Sequence, residues 1–352
     1  AVDTRQFTKK DKRKNIHAFL QLEKMLSRYQ AKLVSYSPED VLERGLVEEQ
    51  TPRPILIGAG TKAVSRFITE NIILLQPTRI IARKRIETSF DLLLKMFQEE
   101  EMVERFRKTA HLKMTLLITG PIAAGHYAYY KTLVTKFGDL LNEAAPDLRG
   151  RIYLALLFGE LDRVTFKEQF SPPAGIADLY NISSLVLLPS KTEGRGLPII
   201  EATACGTPIV CRRYQPETVY SEVIGEHLDE RNRLRVLEFQ GKRFTGKMVR
   251  MITDRIFFPH RFTEDIRHNQ RVVHNRYSLD ALSENIFQIL HRLYDQLGTH
   301  EKTQRIVRES LDDYKEMVNN NSEDLEALLD TRNRQYLPGY SRLSYMFMLK
   351  SL

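Results

Sequence analysis

The stretch that decides the fold is residues 183–211, which read SSLVLLPSKTEGRGLPIIEATACGTPIVC. Its first part is an apolar run with the length of a buried strand, and Pro189 ends that run. Pro198 suits the first position of a helix, and Gly206 suits the position just past its end. A second apolar run follows at 208–211. The order strand, polar loop, short helix, strand is typical of a parallel βαβ unit.

The polar loop of this unit carries two acids and two glycines. Seven residues separate Glu193 from Glu201, and Gly194 and Gly196 lie between them. Because open α/β sheets bind ligands at the carboxyl ends of their strands, this loop is expected at a binding edge. A helix start offers free N–H groups and a partial positive charge, which favours phosphate. The arrangement predicts a site for a molecule with both phosphate and hydroxyl groups.

The alternation of strands and helices extends over residues 71–295. Five apolar runs have strand length, at 72–75, 114–118, 152–158, 184–188 and 208–211. Amphipathic helices are predicted between the strands, and three further helices after them, at 248–257, 263–276 and 279–297. This pattern predicts an α/β fold with a doubly wound, Rossmann-like parallel sheet.

Helical additions are predicted at both ends of this domain. Apolar residues recur at helical spacing over residues 16–36, and Ser37 suits the cap of a further helix. We therefore predict an N-terminal helical segment at 1–70, the Rossmann-like domain at 71–298 and a helical C-terminal extension at 299–352. For the charged extension, the alternative is a segment that is ordered only by contact with another domain.

Composition favours a soluble protein of the cytoplasm. The 352 residues suffice for two domains, and 42% hydrophobic and 28% charged residues are ordinary for a globular chain. No apolar run approaches the roughly 20 residues that span a bilayer, and no secretory signal is visible. Cys205 and Cys211 lie in predicted buried elements, which favours a reducing compartment. Two cysteines are also too few for a disulfide framework or a structural zinc site.

The net charge of +8 favours anionic partners in general, and part of it is concentrated at residues 9–14. A solvated basic face is the favoured interpretation of this run. The alternatives are peripheral contact with an anionic membrane and contact with an acidic acceptor. We expect no nucleic-acid partner, because no recognisable nucleic-acid module accompanies the charge.

A second candidate site follows the first strand of the regular pattern. Residues 76–87 hold four cations in one loop, Arg79, Arg83, Lys84 and Arg85. Such close cations repel one another unless an anion or solvent compensates for their charge. Because this loop and the acid–glycine loop are predicted at the same sheet edge, an anion site is favoured over a merely solvated loop.

At these two places the sequence resembles the retaining GT-B glycosyltransferases of the large family that includes sucrose and sucrose-phosphate synthases. The segment from Glu193 to Glu201 is similar to that family's acid–seven–acid signature, and residues 76–87 resemble its phosphate-clamp loop. Residues 177–180, which read ADLY, are similar to its Ala-Asp-x-Tyr/Phe step. The resemblance covers about residues 71–295 and implies the C-terminal, donor-binding half of a GT-B fold.

The resemblance implies a role for each candidate residue. Glu201 would hold ribose hydroxyls of a nucleotide sugar, and Glu193 would contact hydroxyls of the transferred sugar. Amides around Gly196 would receive the distal phosphate, while the side chains of Arg79 and Lys84 would neutralise the leaving pyrophosphate. The implied catalytic set is Glu193, Arg79 and Lys84, and the implied donor-binding set is Gly194, Arg195, Gly196, Leu197, Glu201, Gly159 and Glu160, the last pair near the nucleobase.

Two positions depart from the family pattern. The clamp lysine is commonly followed by glycine, but here Arg85 follows Lys84. The loop also has Arg195 where an aromatic residue is common, which adds a cation near the sugar or the acceptor. Both departures leave the identity of the donor open.

The implied function is hexosyl transfer from a nucleoside-diphosphate sugar to an unknown acceptor, with retention and without a metal or other cofactor. GT-B enzymes have two Rossmann-like domains, and only about 70 residues precede the first strand of this one. We therefore expect the N-terminal, acceptor-binding domain to be missing and the chain alone to be poorly active. A non-catalytic interaction module and another nucleotide-sugar enzyme, such as an epimerase or a phosphorylase, stay open as alternatives.

Overall fold

The computed structural model describes residues 1–240 and 244–297 of the chain. Residues 1–282 form one compact unit, and a second unit comprises Ser283–Leu352. Of the second unit, residues 283–297 are described, and they are helical. The extension predicted at 299–352 lies outside the described residues.

The strands, in chain order, are β1 (Val34–Tyr36), β2 (Ile55–Ile57), β3 (Lys62–Ala63), β4 (Asn71–Gln76), β5 (Lys113–Ile118), β6 (Ile152–Leu156), β7 (Leu185–Leu188), β8 (Ile209–Arg212) and β9 (Leu237–Phe239). The α-helices of the described residues are α1 (Lys12–Leu26), α2 (Pro38–Glu43), α3 (Ile86–Met96), α4 (Glu100–Lys108), α5 (Tyr127–Glu143), α6 (Pro146–Arg149), α7 (Val164–Gln169), α8 (Ile176–Ile182), α9 (Leu197–Cys205), α10 (Glu217–Ile224), α11 (Gly246–Phe257), α12 (Thr263–Tyr277) and α13 (Leu279–Leu297).

All nine strands of the described residues belong to one sheet, in the order β3-β1-β2-β6-β5-β4-β7-β8-β9. The six strands from β6 to β9 are parallel throughout. If these six strands are numbered by their order in the chain, their order across the sheet is 3-2-1-4-5-6, which is the strand order of a Rossmann fold. The prediction of a Rossmann-like α/β fold is therefore confirmed. The order reverses between β4 and β7, and ligands of such sheets bind where that reversal opens a crevice.

Helices cover both faces of the sheet, because alternate side chains along β4 belong to two different buried clusters. Ile73 and Leu75 belong to a buried cluster with residues of α1, α8, α9 and α12. Ile72 and Leu74 belong to a second cluster, with residues of α3, α5 and α11. Because successive side chains of a strand point to opposite faces, β4 is buried on both sides. This double burial explains why its sequence is uniformly apolar.

The N-terminal addition is not purely helical, contrary to the prediction for residues 1–70. Helix α1 ends at Leu26, and Arg28 and Tyr29 then adopt left-handed conformations that no α-helix continues. The chain goes on to form β1, β2 and β3. Strand β2 pairs antiparallel with β6, and β3 pairs antiparallel with β1, so the sheet is mixed at this side.

Two further boundaries differ from the sequence prediction. The third predicted strand ends at Leu156 rather than at residue 158, because Phe158 has φ +52° and leaves the extended region. Strand β9, which was not predicted, has only three residues and extends the sheet beyond β8. The three late helices α11, α12 and α13 are confirmed.

Candidate functional site

The two candidate loops meet at the point where the strand order reverses. The loop after β4 and the loop after β7 lie side by side and are joined by one main-chain and one side-chain hydrogen bond. Lys191 N donates to Arg83 O at 2.8 Å, and the Arg83 guanidinium donates to Thr192 O at 3.0 Å. Glu193 N in turn donates to Gln215 O, at 3.0 Å, in the loop after β8. Three successive strand ends therefore form one hydrogen-bonded edge.

Lys84 and Glu193 form an ion pair across these loops. Lys84 Nζ lies 2.5 Å from Glu193 Oε1, and the two side chains are only 13% and 8% exposed. Two residues that are 109 positions apart in sequence thus share one largely desolvated charge pair. Because so little solvent surrounds this pair, removal of one partner would leave the other as an uncompensated buried charge, which is strongly unfavourable.

Buried polar groups fix the backbone at Lys84. The side-chain amide of Gln76, the last residue of β4, donates to Lys84 O at 3.2 Å. Ser89 Oγ of α3 donates to Gln76 Oε1 at 2.8 Å, and both side chains are buried. This chain of hydrogen bonds links the strand, the loop and the following helix. It holds the lysine where Glu193 can reach it.

Arg85 explains one departure from the family pattern. It has φ +52° and ψ +47°, the left-handed conformation, immediately before α3. Glycine adopts this conformation freely, whereas another residue is strained there by about 1 kcal/mol. Arg85 Nε lies 2.9 Å from Glu87 Oε1, an ion pair that helps to hold the turn. The turn after the lysine is therefore left-handed even though the residue is not glycine.

Arg79 lies on the same edge, exposed, and Gly120 sets its backbone. Gly120 N donates to Thr78 O at 2.8 Å. A Cβ added at Gly120 would lie 2.5 Å from Thr78 O and 2.7 Å from Arg79 N. Only glycine fits between the ends of β4 and β5, and sequence reasoning did not assign it to the site.

Helix α9 begins at Leu197, directly after the acid–glycine loop, and no side chain within the described residues caps it. Gly196 precedes it with φ +57°, and Pro198 is the second helical residue rather than the first. A Cβ added at Gly196 would overlap the hydroxyl of Tyr214. Gly194 and Arg195 are exposed, and Leu197 is 39% exposed, so the helix start is open to solvent.

Tyr214 supports this helix start and was not found from the sequence. Its side chain is fully buried, and its hydroxyl has no hydrogen-bond partner among the described residues. Burial raises the pKa of Tyr214, with the Glu193 carboxylate a smaller contributor, so the hydroxyl stays neutral. No local sequence pattern predicts that a tyrosine packs beneath Gly196.

Glu201 lies one turn inside α9 and is held by Tyr180 of α8. The Tyr180 hydroxyl donates to Glu201 Oε2 at 2.7 Å, and the tyrosine is fully buried. Burial raises the pKa of the Glu201 carboxyl, and the hydrogen bond from Tyr180 opposes that shift. The ADLY step therefore has a visible structural purpose, which is to orient the second acid of the signature.

Gly159 and Glu160 lie at the same sheet edge but farther from the strand reversal, after β6. Gly159 has φ +79°, and its N–H donates to Thr119 O at 2.8 Å. Glu160 is 8% exposed and lies 3.0 Å from Arg163. The structure thus brings Lys84, Glu193, Arg79 and the start of α9 to adjacent strand ends. It leaves Gly159 and Glu160 two strands away from β4.

Part of the basic run at residues 9–14 is occupied by contacts within the chain. Lys10 Nζ lies 2.6 Å from Asp178 Oδ1, and Lys10 N donates to Asn181 Oδ1 at 2.8 Å. Both partners belong to α8. Membrane contact by the remaining lysines and arginines of the run stays a prediction.

The described residues contain neither a cluster of potential metal ligands nor a membrane-spanning helix. No three histidine, cysteine, aspartate or glutamate side chains converge there as metal ligands would. Nor does the described part of the chain contain a helix of the length and apolarity that a membrane crossing requires.

A family model described as "Glycosyl transferases group 1" matches residues 62–268, more than half of the chain. D-inositol 3-phosphate glycosyltransferase of Gordonia bronchialis is 49% identical over 59 residues, 17% of this chain and 13% of that relative. The Rhodococcus opacus protein of that name is 46% identical over 67 residues, 19% of this chain and 14% of the relative. The chain thus matches less than one quarter of the length of these relatives.

Among solved structures, the chain is similar to Anabaena HepE in complex with UDP and glucose, with a TM-score of 0.47 and 14% identity. That alignment covers 83% of this chain and 55% of HepE. It is also similar to the C-terminal domain of the group 1 protein LpcC from Francisella tularensis, with a TM-score of 0.36 and 15% identity. There the alignment covers 81% of this chain and 97% of that domain.

Proposed function

The chain belongs to the group 1 glycosyl transferases, and we propose that it binds the diphosphate of a nucleotide-sugar donor at the ends of β4 and β7. The sequence resemblance was to the large family that includes sucrose and sucrose-phosphate synthases. At the level of the group 1 family it is confirmed, and the two relatives named above are D-inositol 3-phosphate glycosyltransferases.

The observation that carries the proposal is the meeting of Lys84, Glu193 and the uncapped start of α9 at the strand reversal. A phosphate at this helix start would face the positive end of the helix dipole and the backbone N–H groups of Gly196 and Leu197. The next two residues contribute no free donor, because Pro198 has no N–H and the N–H of Ile199 donates to Gly196 O at 2.9 Å. Lys84 and the exposed Arg79 supply positive charge from the neighbouring loop. Diphosphate is the ligand whose charge matches this arrangement.

Within this proposal the two acids bind hydroxyl groups, and the cations and amides bind the diphosphate. Glu201, oriented by Tyr180, accepts hydrogen bonds from ribose hydroxyls. Glu193 accepts them from the transferred sugar. When the sugar–phosphate bond breaks, negative charge grows on the leaving diphosphate. Fixed cations and amides aimed at that charge can lower the barrier by several kcal/mol, about as much as oxyanion-hole donors do.

The finer points of the reaction are proposals as well. We propose that transfer retains the anomeric configuration and that charge on the leaving diphosphate is neutralised by Arg79 and Lys84 rather than by a metal. Two relatives bear the name D-inositol 3-phosphate glycosyltransferase, but the matched segments cover only 13% and 14% of them. The acceptor of this chain is therefore left open.

Calorimetric titration of the chain with UDP, GDP and ADP tests the proposal. We expect one of them to bind, and Lys84→Ala and Glu201→Ala each to weaken that binding by about 1–3 kcal/mol, because each removes a charged hydrogen-bond partner. Lys95→Ala is the matched control, since Lys95 lies on α3, and its Nζ donates to Gln98 Oε1 at 3.0 Å. Absence of binding for all three nucleotides by a folded protein would overturn the proposal.

A further inference from the structure

The two charged groups that the proposed function assigns to different parts of the donor are partners of each other. Lys84 is assigned to the diphosphate and Glu193 to the sugar, yet Lys84 Nζ lies 2.5 Å from Glu193 Oε1. A phosphate oxygen that takes this ammonium competes directly with the carboxylate. The strength of that competition determines how tightly a diphosphate can bind.

Neither group can simply move away, because both loops are fixed by their backbones. Lys84 O accepts from Gln76, and Arg83 O accepts from Lys191 N. Glu193 N donates to Gln215 O at 3.0 Å on the opposite side. An exchange of partners therefore takes place between side chains, while the carboxylate stays close to the phosphate site.

When Lys84 binds a phosphate oxygen, the Glu193 carboxylate loses its ion-pair partner. Its side chain is 8% exposed, and a buried carboxylate without a partner is strongly unfavourable. The hydroxyl groups of a donor sugar can satisfy it by donating hydrogen bonds. A free nucleoside diphosphate lacks the hydroxyls of the transferred sugar, and its ribose hydroxyls are assigned to Glu201. It also brings further negative charge towards the Glu193 carboxylate.

Resting on the proposed function, we propose that Glu193 is an internal competitor for Lys84 that weakens the binding of the free nucleoside diphosphate. The residue thereby sets specificity, because the sugar-bearing donor can satisfy the carboxylate and the leaving product cannot. It favours release of the product after transfer. This role is separate from any contact that Glu193 makes with the sugar.

The test is a titration of the full chain with UDP, GDP, ADP and inorganic pyrophosphate. Glu193→Gln keeps the shape of the side chain and removes its charge, and it is expected to tighten diphosphate binding roughly 5- to 50-fold. Glu193→Asp keeps the charge but withdraws the carboxylate by one methylene, and a smaller gain is expected. The matched control is Glu217→Gln, which removes a charge from an exposed residue at the same sheet edge and is expected to change binding less than about twofold.

A second comparison isolates Lys84. In a Lys84→Met background, Glu193→Gln should give a clearly smaller gain than it gives in the wild type, because the ammonium for which the groups compete is gone and only the repulsion between carboxylate and diphosphate is left to relieve. Circular dichroism establishes that each variant is folded.

The outcomes separate the two proposals. If wild type binds a diphosphate and neither Glu193 variant binds it more tightly, the competition is refuted and the proposed function stands. The competition is also refuted if Glu217→Gln tightens diphosphate binding as much as Glu193→Gln does, or if Glu193→Gln tightens binding equally in the Lys84→Met background. In either case the effect is due to overall charge and not to competition for Lys84. If no variant and no wild-type protein binds any of the four probes, the proposed function itself fails.

Discussion

Replacement of Gly196 by alanine tests whether the start of α9 is as tightly constrained as the structure shows. Gly196 has φ +57°, a conformation that costs another residue about 1 kcal/mol. The new methyl group would also overlap the Tyr214 hydroxyl, and the next nearest atom, Tyr214 Cζ, would be 3.1 Å away. Overpacking of this kind typically costs about 1–3 kcal/mol. We therefore expect Gly196→Ala to lower the free energy of unfolding by about 2–4 kcal/mol.

The part of this loss that is due to the hydroxyl should be recoverable. Tyr214→Phe removes the overlapping atom, and the hydroxyl has no hydrogen-bond partner among the described residues. The single substitution should therefore cost less than about 1 kcal/mol. In the double variant Gly196→Ala/Tyr214→Phe, about 1–3 kcal/mol of the loss should return, because the overlap with the hydroxyl is gone, while the backbone strain and the close 3.1 Å contact with the ring remain.

Thermal and urea denaturation of four proteins measures this cycle: wild type, the two single variants and the double variant. Gly194→Ala is the matched control, since a Cβ there meets nothing within 4 Å and Gly194 does not have positive φ. It should change stability by less than about 0.5 kcal/mol. If Gly196→Ala behaves like Gly194→Ala, or if the double variant shows simple additivity, the packing of Tyr214 under the loop is not as described.

Two further predictions concern Glu201 and Gly120. Burial raises the pKa of Glu201 above its ordinary value of 4.5, so ionisation of this carboxyl costs stability above that pH. Glu201→Gln still accepts a hydrogen bond from Tyr180 and cannot ionise, so it should raise Tm at pH 7. The gain in Tm should vanish as pH falls to 4.5. A gain in Tm that does not vary with pH would contradict this reasoning. Gly120→Ala should displace the Thr78–Arg79 peptide and weaken diphosphate binding roughly tenfold, because overpacking by 1–3 kcal/mol distorts the loop. Gly60→Ala, where a Cβ meets nothing within 4 Å, is its control, and equal binding by the two variants would refute the role given to Gly120.

The central strands could be predicted because burial on both faces leaves a plain signal in the sequence. Strands β4 to β8 are short apolar runs bounded by polar, glycine or proline residues, and each is present in the structure. Strands β1, β2 and β9 have three residues each, too few for any periodicity to stand out. Their stability comes from pairing with distant segments, as when β2 joins β6 almost 100 residues later. Pairing with a distant segment leaves no pattern in the residues next to the strand, so these strands could not be predicted.

The site was predictable in its residue types but not in its contacts. The acid–glycine loop indicated phosphate and hydroxyl groups, and its topological position was correct. The pairing of Lys84 with Glu193 could not be read from the sequence, because it depends on how two loops pack across the strand reversal. The supporting residues Gln76 and Tyr214 were missed for the same reason. Their importance lies in what they touch rather than in any motif.

The most direct test of the account is hydrogen–deuterium exchange on the full chain, with and without UDP, GDP or ADP. The central claim is that the diphosphate binds between the loops after β4 and β7. For the nucleotide that binds, we predict slower exchange in peptides that cover residues 79–85 and 193–201. Slower exchange confined to another part of the sheet edge, such as α10, with these two loops unchanged, would contradict the claim.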